Sequence, residues 1–329
     1  VGHAGVVTDS SSPSAAPPAP PIDADARAHH YGVFYSLAEG PSDDVAIVVG
    51  NCQAESLRQM LEGPGLATVR IPAVHELTAA DLPYLQHWVS RASVLVSQPV
   101  RDDYHGLPLG TAQLAAVLPA GARLLRVPVV RVAGLYPTHA IVRPPSDTSL
   151  VPPLVEYHDL RVLVEAAIRR EGGAVPVTGV AGRLDALAVR TVASESLAQL
   201  RAREAANATI VLSDLFEQPS FEQMRTLNHP GNPVWSTAAS RVREALGLPD
   251  HVVDPGRPLL DRVHAPRLAA VIETFGLADE PTEHWIVDGA VVPTDEVRAA
   301  HLAWYAEHPD AVDAGLARHS PALAALDLR

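Results

Sequence analysis

Lysine is absent from this chain of 329 residues, and all 25 of its basic residues are arginine. P-loop ATPases, pyridoxal-phosphate enzymes and Schiff-base aldolases each need a lysine amine for their central step, so these classes are excluded. Cysteine is almost absent too. A single residue, Cys52, forms no intramolecular disulfide and no C-x-x-C zinc or redox motif. No apolar run approaches the roughly 20 residues that cross a bilayer, and no charged-then-apolar signal segment opens the chain. A cytoplasmic protein without membrane insertion is therefore expected. Positive charge is outnumbered, with 38 acidic residues and a formal net charge of −13, which argues against broad binding to nucleic acid or to an anionic membrane. Local arginine clusters remain able to hold a phosphate.

A hydrophobic content of 47% supports a sizeable core. Residues 1–28 are rich in Pro, Ala and Ser, which predicts a flexible or docked tail. His29 and His30 close that tail, and adjacent side chains rarely chelate one ion, so they read as a solvated pair and no metal site is expected. From residue 44, short β-branched runs alternate with amphipathic stretches of helical length. The runs are 45–49, 67–71, 93–97, 124–126 and 129–132, and the helical candidates between them are 53–62, 79–91 and 111–118. Such alternation predicts an α/β fold, a parallel sheet flanked by helices in three layers. The second half reads as mainly helical over 157–171, 183–207, 236–246, 266–275 and 294–308. These patterns suggest an α/β catalytic domain over 29–235 and a helical extension over 236–329 packed on it.

The most informative short stretch is Gly50-Asn51-Cys52-Gln53, between the first apolar run and the first helical segment. A thiol at a helix N-terminus meets the positive end of the helix dipole and unpaired N–H groups, which favour the thiolate. In a parallel sheet the ligand crevice lies outside the carboxyl ends of the strands, where both this turn and Ser97-Gln98-Pro99 would emerge. The side chains of Gln53 and Gln98 and the amide of Asn51 are candidate oxyanion donors. A base is needed, and His229, in the loop Asn228-His229-Pro230-Gly231, is the leading histidine. His158, at the start of the segment after Tyr157, is a second candidate with a structural or capping reading beside it. Asp261 and His264 have the spacing that many esterases use, which recurs at Asp102 and His105. Arg58, on the first helix, and Arg101, after the second turn, are candidate phosphate partners, each with an ordinary surface-pairing alternative.

Taken in order, Gly50-Asn51-Cys52-Gln53, then Ser97-Gln98-Pro99 with Tyr104, then Tyr157-His158-Asp159, then Asn228-His229-Pro230 resemble the WcbI-type capsular polysaccharide acetyltransferases over residues 44–235. The resemblance implies an α/β fold distantly like the SGNH hydrolases, coenzyme A binding, and acyl transfer from acyl-CoA to a hydroxyl of a carbohydrate or related small molecule. Cys52 would stand where those hydrolases have serine and attack the thioester to form an acyl-enzyme, with direct attack by the acceptor hydroxyl as the rival route, Asn51 and Gln53 beside it and His229 as base. Gly50, Arg58, Gln98, Arg101, Tyr104 and His158 would line the cofactor. Two other readings share these residues: an ester or thioester hydrolase with water as acceptor, and a non-catalytic module whose turn holds an anion or nucleotide.

Overall fold

The computed structural model describes residues 24–42 and 45–328. It is an α/β protein with a four-stranded parallel sheet flanked by helices. The chain runs α1 (Ala24–His30), β1 (Val45–Val49), α2 (Cys52–Leu61), β2 (Ala67–Val69), α3 (Leu82–Val89), β3 (Val94–Ser97), α4 (Thr111–Ala115) and β4 (Arg123–Arg126). The strand order is β2-β1-β3-β4. Register pairs Val48 with Val96 and Ser97 with Arg126, so the turns after β1 and β3 leave the same edge.

Alternation along β1 explains the layers, because successive side chains of a strand point to opposite faces. Ala46 and Val48 share one core with Leu57 and Leu61 of α2 and with Trp235 and Ala238. Val45, Ile47 and Val49 join the other, with Phe34, Leu85, Trp88 and Leu114. The expected strand at 129–132 does not form. Pro128 offers no N–H for a ladder, and the N–H and C=O of Val130 are both taken by the side chain of Gln53.

After the sheet come β5 (His139–Ala140), β6 (His158–Asp159), α5 (Leu160–Arg170), α6 (Ala186–Asn207), β7 (Met224–Thr226), β8 (His229–Pro230) and α7 (Asn232–Ala245). The chain then adds β9 (Val263–His264), α8 (Ala269–Phe275), β10 (His284–Val287), β11 (Ala290–Pro293), α9 (Thr294–Glu307), α10 (Pro309–Arg318) and α11 (Ser320–Ala325). The expected helices are all present, most of them shortened at their ends, while α2 and α7 begin one and four residues earlier than expected. A small antiparallel sheet, β11-β10-β9, and the last two helices were not anticipated.

Two expected boundaries cut helices. A division at 235 falls inside α7, whose Val234, Trp235 and Val242 share the core of α2. Buried Arg243 also ties α7 to the end of α2, donating to the Leu61 carbonyl at 3.0 Å and the Pro64 carbonyl at 2.7 Å. A division at 28 falls inside α1, which is docked by Arg27 through the Glu76 carbonyl at 3.1 Å and the Asp81 carboxylate at 3.1 Å. Residues 1–23 of the expected tail lie outside the described residues. Among those described, no helix is long and apolar enough to cross a membrane.

The last helices grip the segment that leads into β6. His301 of α9 donates to the carbonyls of Pro153 and Val155 at 3.2 and 3.1 Å. Buried Glu165 of α5 receives Arg298 of α9 through both guanidinium arms at 2.8 and 2.6 Å, the fork geometry that makes arginine pairs directional.

Candidate functional site

α2 begins at Cys52 because Asn51 caps it. Asn51 has extended backbone, and its Oδ1 accepts from the N–H of Gln53 at 2.9 Å. The backbone N–H of Asn51 donates to Gln98 Oε1 at 2.9 Å, joining the turn after β1 to the turn after β3. Glycine is required at position 50 because a Cβ there would meet Gln98 Oε1 at 2.3 Å. Gly50 is buried, and its carbonyl accepts from the N–H of Val74 at 2.8 Å.

Gln53 is not an oxyanion donor, and Gln98 is buried with its Nε2 turned to Gln53. Gln53 Nε2 donates to the carbonyls of Val130 and Asn228 at 2.7 and 2.8 Å. Its Oε1 accepts from Val130 N–H at 3.0 Å and from Gln98 Nε2 at 3.1 Å. A buried primary amide with both donors and both lone pairs used is a structural clamp, since releasing one bond strands a buried polar group. The clamp has a consequence for the site. It holds the residue after Cys52 against the carbonyl of the residue before His229, two segments 175 positions apart. Among the described residues, Asn51 Nδ2 has no protein partner, so of the three amides it is the one whose two donors are both free.

Cys52 is half-buried, but its thiol is pushed up to about 12. Burial is the largest cause, and the Glu156 carboxylate adds to it. The N–H groups of Cys52 and Gln53 pull downward, as the helix terminus should. The expected thiolate is thus corrected: desolvation outweighs the helix end, and the sulfur is a neutral thiol at pH 7. Iodoacetamide at pH 7.5 is expected to alkylate Cys52 about 10²–10³-fold more slowly than free cysteine, because only the thiolate reacts. Labelling at the free-cysteine rate, read by intact mass, would contradict the neutral thiol.

His229 is half-buried at the start of β8. Its Nε2 lies 3.3 Å from the Tyr157 hydroxyl, which donates to Asn228 Oδ1 at 2.7 Å and accepts from the Thr226 hydroxyl at 2.9 Å. The phenol has one proton and gives it to Asn228. This assigns the N–H of His229 to Nε2 and leaves a lone pair on Nδ1, which is buried without a partner. Burial first, then the nearby Arg225 and His264, push the imidazole down to about 4, so it is neutral near pH 7. Arg225 pairs with Asp261 at 2.7 Å, and His264 Nε2 lies 2.8 Å from the same carboxylate. The Asp-x-x-His spacing there forms a separate surface pair behind His229.

Tyr157 joins this site to the last third of the chain. It stacks on Trp285 of β10 with ring centroids 5.8 Å apart, and Trp285 stacks on His139 at 4.9 Å. In a chain with 5% aromatics, this stack brings a residue of the last third of the chain against the phenol that holds His229.

Other expected site residues have other partners. His158 is fully buried, with Nδ1 at 2.5 Å from the Tyr305 hydroxyl and Nε2 at 3.2 Å from the Val142 carbonyl, and both nitrogens are used. It is a core histidine, pushed down to about 3 by burial and by His301. Arg58 is held by Glu55 at 2.7 Å, Glu62 at 3.2 Å and Thr68 at 2.8 Å, so its charge is already compensated. Tyr104 is buried with its ring edge-on to His105 at 4.3 Å. Arg101 is exposed past the turn after β3. His29 and His30 are exposed, and among the described residues no group of three potential ligands could hold a metal ion.

The site thus consists of a neutral thiol, a neutral imidazole with a free lone pair and a free amide donor, on segments joined by the Gln53 clamp. Comparison with known proteins gives this arrangement a family. No curated protein matches the chain. A solved structure described as "Structural insights into WcbI, a novel polysaccharide biosynthesis enzyme", native protein without a disulfide bond between CoA and a cysteine, shares the fold with a TM-score of 0.70 at 18% identity. The match covers 87% of this chain and 99% of that one. The family described as polysaccharide biosynthesis enzyme WcbI matches residues 45–251, from β1 through α7 and so across every residue of the clamp. The chain belongs to the WcbI family of polysaccharide biosynthesis enzymes.

Proposed function

We propose that the chain transfers an acyl group from acyl-CoA to a hydroxyl of a carbohydrate or related small molecule, with His229 as the base. The observation that carries this reading is the unpartnered Nδ1 of a neutral His229, tied through the Gln53 clamp to the Cys52 turn. The donor comes from the family and from the structural neighbour, which is described in terms of CoA and a cysteine. Cys52 is the only cysteine this chain has to stand in that place.

The geometry favours direct transfer over an acyl-cysteine. A nucleophilic thiol needs a base in hydrogen-bond reach or a lowered proton affinity. Here the thiol is pushed up to about 12, and among the described residues it makes no side-chain hydrogen bond. In the direct route the acceptor hydroxyl attacks the thioester carbonyl while its proton passes to Nδ1 of His229. The new C–O bond forms, the C–S bond breaks, and the leaving sulfur takes the proton from the imidazolium. Asn51 Nδ2 donates to the carbonyl oxygen as negative charge develops on it. The growing charge raises the proton affinity of the imidazole as the proton arrives, which offsets its low starting value.

Incubation with acetyl-CoA and a panel of hydroxyl-bearing saccharides, read by CoA release and by product mass, tests this reading. An acetylated saccharide formed in step with CoA release supports it. CoA release equal with and without saccharide, and no acetylated product, would replace it with thioester hydrolysis.

A further inference from the structure

Arg131 stands apart from the other internal arginines. It follows Val130, whose N–H and C=O are both fixed by Gln53, so its backbone is locked beside the Cys52 turn. Its side chain is half-buried and keeps contact with solvent. Among the described residues it makes no side-chain hydrogen bond and no ion pair, whereas Arg143 pairs with Glu156 at 3.0 Å and Arg161 with Asp159 at 2.6 Å. The charges that act on it most are other cations, Arg318 and Arg203, with Arg143 further down and the Tyr157 phenol between them. Arg203 of α6 also donates to the Arg131 carbonyl at 3.3 Å. Next to Arg318, His319 buries an Nε2 that has no partner. Among the described residues Arg131, Arg203 and Arg318 make no ion pair, and in a chain of net charge −13 this is a local excess that the composition does not explain. Burial and these cations push Arg131 down to about 9, far from the usual arginine range. A desolvated cation without a counter-charge is destabilising until an anion reaches it.

We propose that Arg131, with Arg203 and Arg318 around it, receives a phosphate or pyrophosphate group of the ligand that binds at the Cys52 turn. Arginine suits this role because its planar fork meets two phosphate oxygens at once. Under the function proposed above, on which this assignment of the source rests, the group belongs to coenzyme A. A phosphorylated acceptor carries the same chemistry, and the two sources are separable.

The test uses the full chain and an Arg131→Gln variant, each titrated with CoA, with pantetheine, which lacks every phosphate of CoA, and with inorganic pyrophosphate. CoA affinity is expected to fall about tenfold or more in the variant, with pantetheine binding unchanged and pyrophosphate displacing CoA from the wild type only. Thermal unfolding supplies a second readout. The ligand-free variant should melt at or above the wild-type temperature, since an uncompensated cation has been removed, whereas a structural arginine would give a lower value. CoA binding within twofold of the wild type in Arg131→Gln would overturn the assignment and leave the donor intact. Pyrophosphate binding that depends on Arg131 in a protein that does not bind CoA would keep the assignment and remove the donor.

Discussion

Replacement of His229 by glutamine is expected to lower kcat for acyl transfer by about 10²–10⁴-fold, the usual range for loss of a positioned base, with little change in CoA affinity. Glutamine retains an N–H that can face the Tyr157 hydroxyl but has no lone pair with the basicity of Nδ1. The wild-type rate should also stay flat as pH is lowered from 7 to about 6, where the chain is still folded, because His229, pushed down to about 4, remains neutral throughout. A rate that halves near pH 6.5 would mean an imidazole without the desolvation seen here. A variant with near-normal kcat would remove His229 from the chemistry.

Acidification between pH 6.5 and 4.5 is expected to unfold this protein well before its carboxylates titrate. Burial pushes His139, His229 and His319 each to about 4, and His158 to about 3. In the unfolded chain a histidine takes up its proton near pH 6.5, so below that value the unfolded state binds more protons and gains relative to the folded one. The stability each residue contributes is present above pH 6.5 and is lost as pH falls towards the folded value. At pH 5 the loss is about 2 kcal/mol per histidine, to order of magnitude, against a typical total of about 5–15 kcal/mol. The clearest check is His139, stacked between Tyr136 at 5.8 Å and Trp285 at 4.9 Å, with Nδ1 lacking a partner. His139→Phe keeps an aromatic ring in the stack and removes the titration. Urea unfolding should show the variant gaining about 2 kcal/mol on the wild type between pH 8 and pH 5. An equal pH slope in the two proteins would contradict the buried, neutral histidine.

The parts of the fold that were legible in the sequence are those built from neighbours in the chain. The run 45–49 followed by Gly50 and a capping Asn51 specifies strand, turn and helix start locally, and the structure places β1 and α2 accordingly. The β10–β11 hairpin also had a local signal, Asp288-Gly289 between two apolar runs, both residues with positive φ of 48° and 82°. It falls between the helical patterns at 266–275 and 294–308, where the dominant signal is helical spacing.

The contacts that define the site were not legible, because each joins distant segments. Nothing near position 53 indicates that its amide will be saturated by Val130, Asn228 and Gln98. The helix start correctly suggested a pull on the Cys52 thiol, but its sign was decided by burial and Glu156, which only the packing supplies. His158 was read from its place beside Tyr157, whereas its partner Tyr305 lies 147 residues away. Arg131 looked like any arginine in an arginine-only set, and its isolation is visible only once its neighbours prove to be cations.

Calorimetric titration of coenzyme A into the wild-type chain tests the central claim most directly, since every proposed step begins with that donor at the Cys52 turn. The account predicts saturable binding at about one CoA per chain. No heat of binding up to millimolar CoA, from a protein shown to be folded, would contradict it.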